Sequence, residues 1–426
     1  MLPAFLRRLQ RFFAPAPASP DVAVDGDAPK DTGRIALMIL VSVIFINMLG
    51  FGIVVPLLPF YAKSFEAQPW QIALIFSAFA FGGFFGEPFW GRLSDRIGRK
   101  PLLISTVCGT CCCYLALAFA PNVTVAFIVR FLGGMASGNG SVIQGYLADV
   151  TPPHLRSGRI ALMGAAYNVG FIVGPSLGGL LAHPNAGPIG FQIPILVAAT
   201  LSACSAIGVI LFVRESRPKV ENAAAQASRW TMLSRAASHP TVSRLLLLTY
   251  VSGFAFMGIE SVFGLWSEKK FGWGPHEIGW IFGATGVCAA LMNSLFTGTL
   301  ARRHGEATML AIGMALASVA ALLLTLSTGF WMTIALMCVM AIGQSAAFPN
   351  VSALISRSTG PDHQGQVLGL NNASGAIARV CGPMCANLVF AGVSLNAPFV
   401  LAAAIVAPAI FLALAAGRSA GNAEAL

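Results

Sequence analysis

Two apolar runs, residues 71–90 and 101–120, flank the short basic stretch 91–101 (GRLSDRIGRKP). Each run is about 20 residues long, the length that an α-helix needs to cross the hydrocarbon core of a bilayer. The stretch between them holds four cations, and loops rich in Lys and Arg lie on the cytoplasmic side of a membrane. The sequence therefore predicts two membrane-spanning helices joined by a tight cytoplasmic loop.

The composition also favours a membrane protein. Hydrophobic residues make up 56% of the 426 residues and charged residues only 10%, whereas soluble proteins carry about 25% charged residues. The mean hydropathy of +0.76 indicates membrane lipids as the main surroundings of the chain. The formal net charge of +10 would suit nucleic acid only if the cations shared one exposed face. They lie in loops between apolar runs, so no nucleic-acid partner is expected, and no obligate protein partner is evident.

The distribution of cations predicts the topology. Most of the 26 Lys and Arg residues fall in the N-terminal segment and in alternate loops, whereas the intervening loops hold only Lys63, Lys269 and Lys270. This asymmetry places both termini in the cytoplasm and requires an even number of spans. We expect a multi-pass protein of a bacterial inner (plasma) membrane.

Twelve apolar segments follow one another, and one longer polar stretch divides them six and six. Residues 1–13 are basic and amphipathic, which predicts an anchor in the membrane surface; a mitochondrial transit peptide is the alternative. The predicted organisation is an N-terminal cytoplasmic tail (1–34), a six-helix half (35–213), a cytoplasmic loop (214–243), a second six-helix half (244–416) and a short cytoplasmic tail (417–426).

The two halves repeat each other. Residues 91–98 (GRLSDRIG) align with residues 298–305 (GTLARRHG), so that Arg302 stands at the place of Asp95. Gly174-Pro175 likewise has a counterpart in Gly382-Pro383. Many transporters consist of two such repeats and bind their substrate near the membrane midplane between them.

The 91–100 loop resembles the signature loop G-x-L-x-D-R-x-G-R-K between helices 2 and 3 of the major facilitator superfamily (MFS). The segment 130–134 (RFLGG) resembles the superfamily's R-x-x-Q-G motif, with Gly in place of Gln. In relatives, the loop's Asp and second Arg form a charge network with an acid at the end of helix 4 and with the start of helix 11, which joins the two halves. The resemblance implies that this network closes the cytoplasmic side in the outward-facing state, with gating residues Gly91, Asp95, Arg96, Gly98, Arg99 and Asp149.

Residues 170–179 of the fifth predicted helix (GFIVGPSLGG) match in full the G-x-x-x-G-P-x-x-G-G signature of superfamily exporters that exchange substrate for protons. Small residues at this spacing let two helices pack closely, and a proline bends its helix. The predicted helix-packing residues are Gly170, Gly174, Pro175, Gly178 and Gly179.

The first predicted helix resembles that of tetracycline exporters over residues 47–59 (NMLGFGIVVPLLP). Those exporters commonly carry Asp where this chain carries Asn47. An amide can hydrogen-bond a substrate, but it cannot carry a proton. The acid that couples transport to protons is therefore expected elsewhere.

Four ionisable residues fall within predicted spans: Glu87, Arg130, Glu260 and Arg379. An ionisable group at the bilayer centre costs at least about 2.5 kcal/mol, so each is a candidate for proton coupling. Desolvation disfavours the charged carboxylate, which makes Glu260 the first candidate for the coupling acid. The alternatives are a static ion pair of Glu260 with Arg379 or Arg130, and a pairing of Glu87 with the loop cations.

Polar and aromatic side chains at helical spacing predict the wall of a cavity for an amphipathic molecule. Each Asn or Gln among them has the alternative role of a hydrogen bond between helices. The predicted substrate-binding residues are Asn47, Phe51, Gln144, Tyr167, Asn168, Phe256, Trp266, Gln344, Phe348, Asn350, Asn371 and Asn372.

The sequence thus predicts an all-α membrane protein with the MFS fold, in which twelve transmembrane helices form two pseudo-symmetric halves. The expected function is export of a small amphipathic compound, a drug or a lipid-like metabolite, in exchange for protons. The alternatives are a proton-independent facilitator or nutrient symporter, and a sensor or lipid-handling protein of the same fold. No phosphate-binding loop, metal-ligand spacing or catalytic constellation is present, so we expect no ATP, metal, cofactor or enzymatic activity.

Overall fold

A computed structural model describes residues 30–216, 240–359 and 364–423. These ranges are helical and contain no β-strand. The predicted surface anchor at 1–13 and most of the predicted loop between the halves lie outside the described residues.

The N-terminal half contains six helical segments. The first, α1, runs through Lys30–Val54, a 3₁₀ turn at Val55–Leu57 and Leu58–Lys63. The fourth, α4, consists of Val123–Ser137 and Gly140–Val150. The others are α2 (Pro69–Ile97), α3 (Arg99–Ala118), α5 (Pro153–Leu181) and α6 (Gln192–Phe212), with a 3₁₀ segment at Pro184–Phe191 before α6.

The C-terminal half contains six more segments. Its second helix, α8, runs through Pro275–Leu291, a π-helical turn at Met292–Thr297 and Gly298–His304. The others are α7 (Pro240–Phe271), α9 (Glu306–Thr325), α10 (Phe330–Arg357), α11 (Gln364–Gly392) and α12 (Ala397–Ala423). Helices α1, α2, α5, α7 and α12 extend several residues past the predicted spans, because helical hydrogen bonding continues beyond the apolar run. Since α2 continues to Ile97 and α3 begins at Arg99, the predicted loop at 91–100 is reduced to a turn at Gly98.

Eleven helices in the described ranges are long and apolar enough to cross a membrane. The twelfth segment, α4, falls short because it is interrupted at Gly138 and Asn139, which leaves pieces of 15 and 11 residues. Taken together, these two pieces form the fourth predicted span, which brings the number of spans to twelve. The all-α, two-half architecture is therefore confirmed.

The two halves meet along α5 against α8 and along α2 against α11. We call the side that carries the α2–α3 and α8–α9 turns, at Gly98 and Gly305, the basic side, and the other side the opposite side. Hydroxyl Oγ of Ser77 in α2 donates a hydrogen bond to the carbonyl of Val380 in α11 at 2.8 Å.

The contacts between the halves extend to the opposite side. A Cβ placed on Gly179 of α5 would lie 2.7 Å from Cα of Gly279 in α8. A Cβ placed on Gly264 of α7 would lie 3.3 Å from the ring of Phe60 at the end of α1. The opposite side is therefore closed by direct packing of the two halves.

Candidate functional site

Three side chains from three helices converge between the two halves. The hydroxyl of Tyr167 in α5 is close enough to Glu260 of α7 and Arg379 of α11 for their charges to act on it. Tyr167 is 50% exposed although it lies near the middle of its helix, and Arg379 is exposed as well. The structure thus brings together two predicted proton-coupling residues and one predicted substrate-binding residue.

Glu260 is buried, with 8% of its surface exposed. Among the described residues, no Arg, Lys or His nitrogen lies within 4.0 Å of its carboxylate. The static ion pair with Arg379 or Arg130 is therefore not formed in this structure. A buried carboxylate without a cation nearby is costly to place in a membrane span, so Glu260 is a functional candidate.

Glu260 lies next to the closed opposite side. Gly264 and Glu268 follow it at intervals of four residues, and side chains at this spacing share one face of a helix. On that face Gly264 packs against α1, and Glu268 forms an ion pair with Lys63 of α1 at 2.7 Å. Glu260 is thus one helical turn from the packed contact and two turns from the ion pair.

Arg130 is buried inside the N-terminal half, with 3% of its surface exposed. Its guanidinium lies over the ring of Phe79, 4.4 Å from the ring centroid, and its Nε has no hydrogen-bond partner in the described chain. Tyr114 and Cys113 of the same half lie close enough to act electrostatically on it. Arg130 is therefore held by aromatic and polar groups of its own half and is separate from Glu260.

Glu87 is exposed near the break in α4. One carboxylate oxygen would lie 3.4 Å from a Cβ placed on Gly140. No cation of the described residues lies within 4.0 Å of it, so the predicted pairing with the loop cations is not formed. The loop's Arg99 instead points toward other acids.

Arg99 organises the predicted gating cluster. Its guanidinium lies 2.9 Å from Asp95 and 3.3 Å from Asp149, and it donates a further hydrogen bond to the hydroxyl of Ser94. Its side chain packs over Gly145, where a Cβ would meet the guanidinium. These partners all belong to the N-terminal half. Closure of the cytoplasmic side by this charge network therefore remains a prediction.

The backbone of the same turn binds Glu215, which the sequence analysis missed. Gly98 adopts φ +104°, a conformation that favours glycine. The amides of Arg99 and Lys100 both donate to the Glu215 carboxylate, at 2.8 and 3.1 Å. The side chain of Arg96 is exposed, and Gly91 lets Ser141 of α4 approach. An acid just after α6 thus caps the start of α3.

Several predicted substrate-binding residues are hydrogen-bonded within one half instead. Trp266 is completely buried and donates to Asn396, so its predicted role in lining the cavity does not hold in this structure. Its ring is part of an aromatic cluster with Phe263 and Phe399. The other bonded side chains are Asn47 (to Asn139), Gln344 (to Ser252), Asn350 (to the carbonyl of Ala346) and Asn371 (to Thr249 and Ser352).

The remaining predicted substrate-binding residues are more accessible. Phe51 packs against Phe79 with ring centroids 5.3 Å apart. Phe256 lines a cavity of about 20 Å³ within the C-terminal half, and Asn168 is half-buried. The exposed members are Gln144, Tyr167, Phe348 and Asn372.

Asn139 is a buried residue that the sequence analysis did not single out. Asn47 donates to its side-chain oxygen at 3.2 Å, and its own amide donates to Thr106 at 3.2 Å. Asn139 lies at the break in α4, where the sequence reads Gly-Asn-Gly. Asn-Gly is a turn signal, and it was the available indication that the apolar run is interrupted here.

The helix-packing signature of α5 divides between two partners. Gly170, Gly174 and Gly178 pack against the backbone of α1 in the same half, whereas Gly179 packs against α8 of the other half. Pro175 lies within the same helix. The signature therefore serves both the internal packing of one half and the contact between halves.

The nine cysteines are free thiols, and no group of His, Cys, Asp and Glu residues in the described ranges is arranged to hold a metal ion. The site consists of polar and ionisable groups between helices.

Comparison with known proteins identifies the family. The sequence profile of the Major Facilitator Superfamily matches residues 40–274 and 245–424. The chain is 26% identical over 370 residues to multidrug resistance protein 2 of Bacillus subtilis, covering 86% of this chain and 91% of the relative. It is 27% identical over 366 residues to the class C tetracycline resistance protein of Escherichia coli, covering 84% and 90%.

A solved structure confirms the fold. A bacterial homolog of the human lysosomal transporter Spinster, in an inward-facing and occupied conformation, matches with a TM-score of 0.73 at 14% identity, covering 92% of this chain and 98% of that one. With its membrane-spanning helices and its two repeated halves, this chain is an integral membrane protein that belongs to the Major Facilitator Superfamily.

Proposed function

We propose that this protein is a secondary active transporter that exports a small amphipathic compound in exchange for protons. Its relatives include proteins named for multidrug and tetracycline resistance. The observation that carries the proposal is the position of Glu260, a buried acid without a basic partner in the described chain, at the closed end of the space between the halves.

The proposed orientation follows from the positive-inside rule, with the basic side in the cytoplasm of a bacterial inner membrane. The structure then has its external side closed. Lys63 and Glu268 form the outer ion pair of that closure, and Gly179 packs against Gly279 beside it. A substrate enters from the cytoplasm and reaches Tyr167, Arg379 and Glu260.

Glu260 is the proposed proton carrier. When the external side opens, the carboxylate meets water and takes up a proton as the substrate leaves. The neutral acid is compatible with the buried position that it occupies when the halves close externally. Release of the proton to the cytoplasm then restores a carboxylate that attracts the next substrate molecule.

The bonds of Asn47 agree with a proton-coupling acid that lies outside α1. Its amide is bound to Asn139, and Asn139 is bound to Thr106, so the group has a structural role in holding α1, α3 and the broken α4 together. Because the amide of Asn47 cannot carry a proton, it also favours the second candidate function, a facilitator that moves the same compounds without protons.

The test measures proton flux in proteoliposomes that contain the purified protein and an internal pH indicator. Tetracycline and norfloxacin are added under an imposed pH gradient, and their uptake is followed in parallel. We expect wild type to release protons when a compound moves. We expect Glu260→Gln to lose this flux and to keep downhill exchange of the compound.

Glu66→Gln is the matched control, because Glu66 is an exposed acid in the α1–α2 turn. It should behave as wild type. Compound movement without proton flux in wild type contradicts proton exchange and favours the facilitator. Unchanged coupling in Glu260→Gln rejects the assigned role of this residue.

A further inference from the structure

The α8–α9 turn repeats the α2–α3 turn, but two of its positions carry the opposite charge. Gly305 adopts φ +85°, as Gly98 adopts φ +104°. Arg302 stands where the first half has Asp95, and Glu306 stands where it has Arg99. The offset that relates Gly174 to Gly382, which is one residue longer, pairs Asp149 near the end of α4 with Arg357 at the end of α10. At these three positions, two acids and one cation in the first half are thus replaced by two cations and one acid in the second.

The ion pair at the centre of each cluster is preserved. Arg357 Nη2 lies 3.1 Å from Glu306 Oε1, which corresponds to the contact of Arg99 with Asp149 in the first half. The cluster in the second half is therefore also held by an ion pair, although its net charge is positive.

The two clusters differ in how their interior is filled. In the first half the Arg99 guanidinium packs against Gly145 and leaves little space. In the second half a cavity of about 570 Å³ opens between the ends of α8 and α10. The residues that give this cavity polar groups are Asn293, Thr297, Arg302, Glu306, Asn350 and Arg357.

The cavity offers uncommitted hydrogen-bond donors. Arg302 makes one long contact, 3.5 Å to the hydroxyl of Thr299, among the described residues. Nη2 of Arg357 forms the ion pair with Glu306, and the Arg357 side chain is 64% exposed. Since a guanidinium carries five N–H donors, this pair does not use them all. The N-terminus of the 20-residue helix α9, at Gly305 and Glu306, also borders the cavity and favours negative charge.

One wall residue of the cavity, Asn293, lies near the face of α8 that packs against the other half. Gly279, Gly283 and Gly286 form the stripe of α8 that packs against α5. Asn293 lies seven residues after Gly286, which returns it to nearly the same face of the helix. The π-helical turn that begins at Met292 widens α8 here, and such turns are frequent at functional sites.

We propose that this cavity is a binding site for a small soluble anion that carries a phosphate or carboxylate group, held by Arg302 and Arg357. Guanidinium groups bind such oxyanions through paired, charge-assisted hydrogen bonds. A volume of about 570 Å³ accommodates an organic molecule that bears the anionic group. The site is independent of proton exchange, and it adds an anion to the molecules that this protein recognises.

The test uses the full-length protein in detergent, with inorganic phosphate and citrate as probes. The midpoint temperature of unfolding is measured by tryptophan fluorescence while each probe replaces chloride at constant ionic strength. We expect a saturable rise in wild type. Arg302→Gln and Arg357→Gln should each raise the apparent Kd at least tenfold.

Two further variants separate binding from folding. Arg303→Gln removes the next cation, which is exposed and is not among the residues lining the cavity, and should leave the apparent Kd unchanged. Glu306→Gln removes the acid that competes for Arg357, and should lower the apparent Kd. A gain in affinity cannot come from a damaged fold.

The absence of a saturable rise in wild type overturns the proposal, as do equal apparent Kd values in all variants or weaker binding by Glu306→Gln. A parallel series compares nanodiscs of phosphatidylglycerol with nanodiscs of phosphatidylcholine, without added phosphate or citrate. Stabilisation that depends on Arg302 and appears only with phosphatidylglycerol overturns the soluble anion and identifies a lipid headgroup as the ligand.

Discussion

Lys63 Nζ lies 2.7 Å from Glu268 Oε1, and this ion pair joins the end of α1 to the end of α7 across the two halves. Each of these helices is the first of its half. The two side chains are 55% and 29% exposed. Exposed pairs contribute only about 0.2–1 kcal/mol, so the pair biases the closure of the opposite side while packing provides most of it.

The first prediction concerns this pair. Lys63→Gln should shift the population toward states that are open on the opposite side, by up to about fivefold, because up to about 1 kcal/mol of attraction is lost. Hydrogen–deuterium exchange over residues 58–63 measures the shift as faster exchange. Glu268→Gln should have the same effect, and the double variant Lys63→Glu with Glu268→Lys should restore slow exchange. Slow exchange in both single variants would show that the pair has no influence on closure.

The second prediction separates two glycines of one signature. In Gly174→Ala the new Cβ would lie 2.7 Å from Cα of Gly52 and 2.7 Å from the carbonyl of Leu49, both in the same half. In Gly179→Ala it would lie 2.6 Å from the carbonyl of Pro275, in the other half. Overpacking of this kind costs about 1–3 kcal/mol.

Gly174→Ala should therefore lower the midpoint of thermal unfolding, since the half itself is strained in every state. Gly179→Ala should mainly speed hydrogen–deuterium exchange at the opposite side, because separation of α5 from α8 relieves its clash. Gly164→Ala is the control in the same helix, with no atom within 4 Å of the new Cβ. Indistinguishable effects of Gly174→Ala and Gly179→Ala would contradict the division of this signature between two partners.

The third prediction concerns Arg99. Arg99→Lys keeps the charge but loses the planar donors that reach Asp95, Asp149 and Ser94 together. We expect a loss of about 2 kcal/mol in stability, between the values for exposed pairs and for fully buried pairs, because the acids are partly exposed. Arg96→Lys, at an exposed position of the same turn, should be neutral. Thermal unfolding in detergent measures both, and an equal effect of the two variants would reject the special role of Arg99.

The fold was largely predictable because the bilayer imposes it. A chain of long apolar runs can satisfy its backbone polar groups in lipid only by forming helices. The repeat of residues 91–98 in residues 298–305 then indicated the two halves. The break in α4 was not predicted, because Gly138 and Asn139 lie within an otherwise apolar run, and the bonds of Asn139 to Asn47 and Thr106 depend on how three helices are rotated.

The candidate site was predicted less completely. Glu260 and Arg379 were identified as ionisable residues within membrane spans and Tyr167 as a substrate-binding residue, and the structure places the three near one another. Trp266 was assigned to the cavity because aromatic side chains among polar ones suit an amphipathic molecule, but it is buried against Asn396 and neighbouring rings. The type of a residue indicates which groups its side chain can bind, but the packing of its helix determines which group it contacts.

By itself, the sequence determined the family, the helices and the asymmetry of charge between loops, because these depend on local composition and spacing. Only the tertiary structure decided which side is closed, which Asn and Gln residues are bonded within a half, and that the charged clusters at the two turns enclose different spaces. These properties depend on distances between residues far apart in the chain. The 570 Å³ cavity at Arg302 and the filled space at Arg99 arise from related sequences whose side chains differ in length and charge.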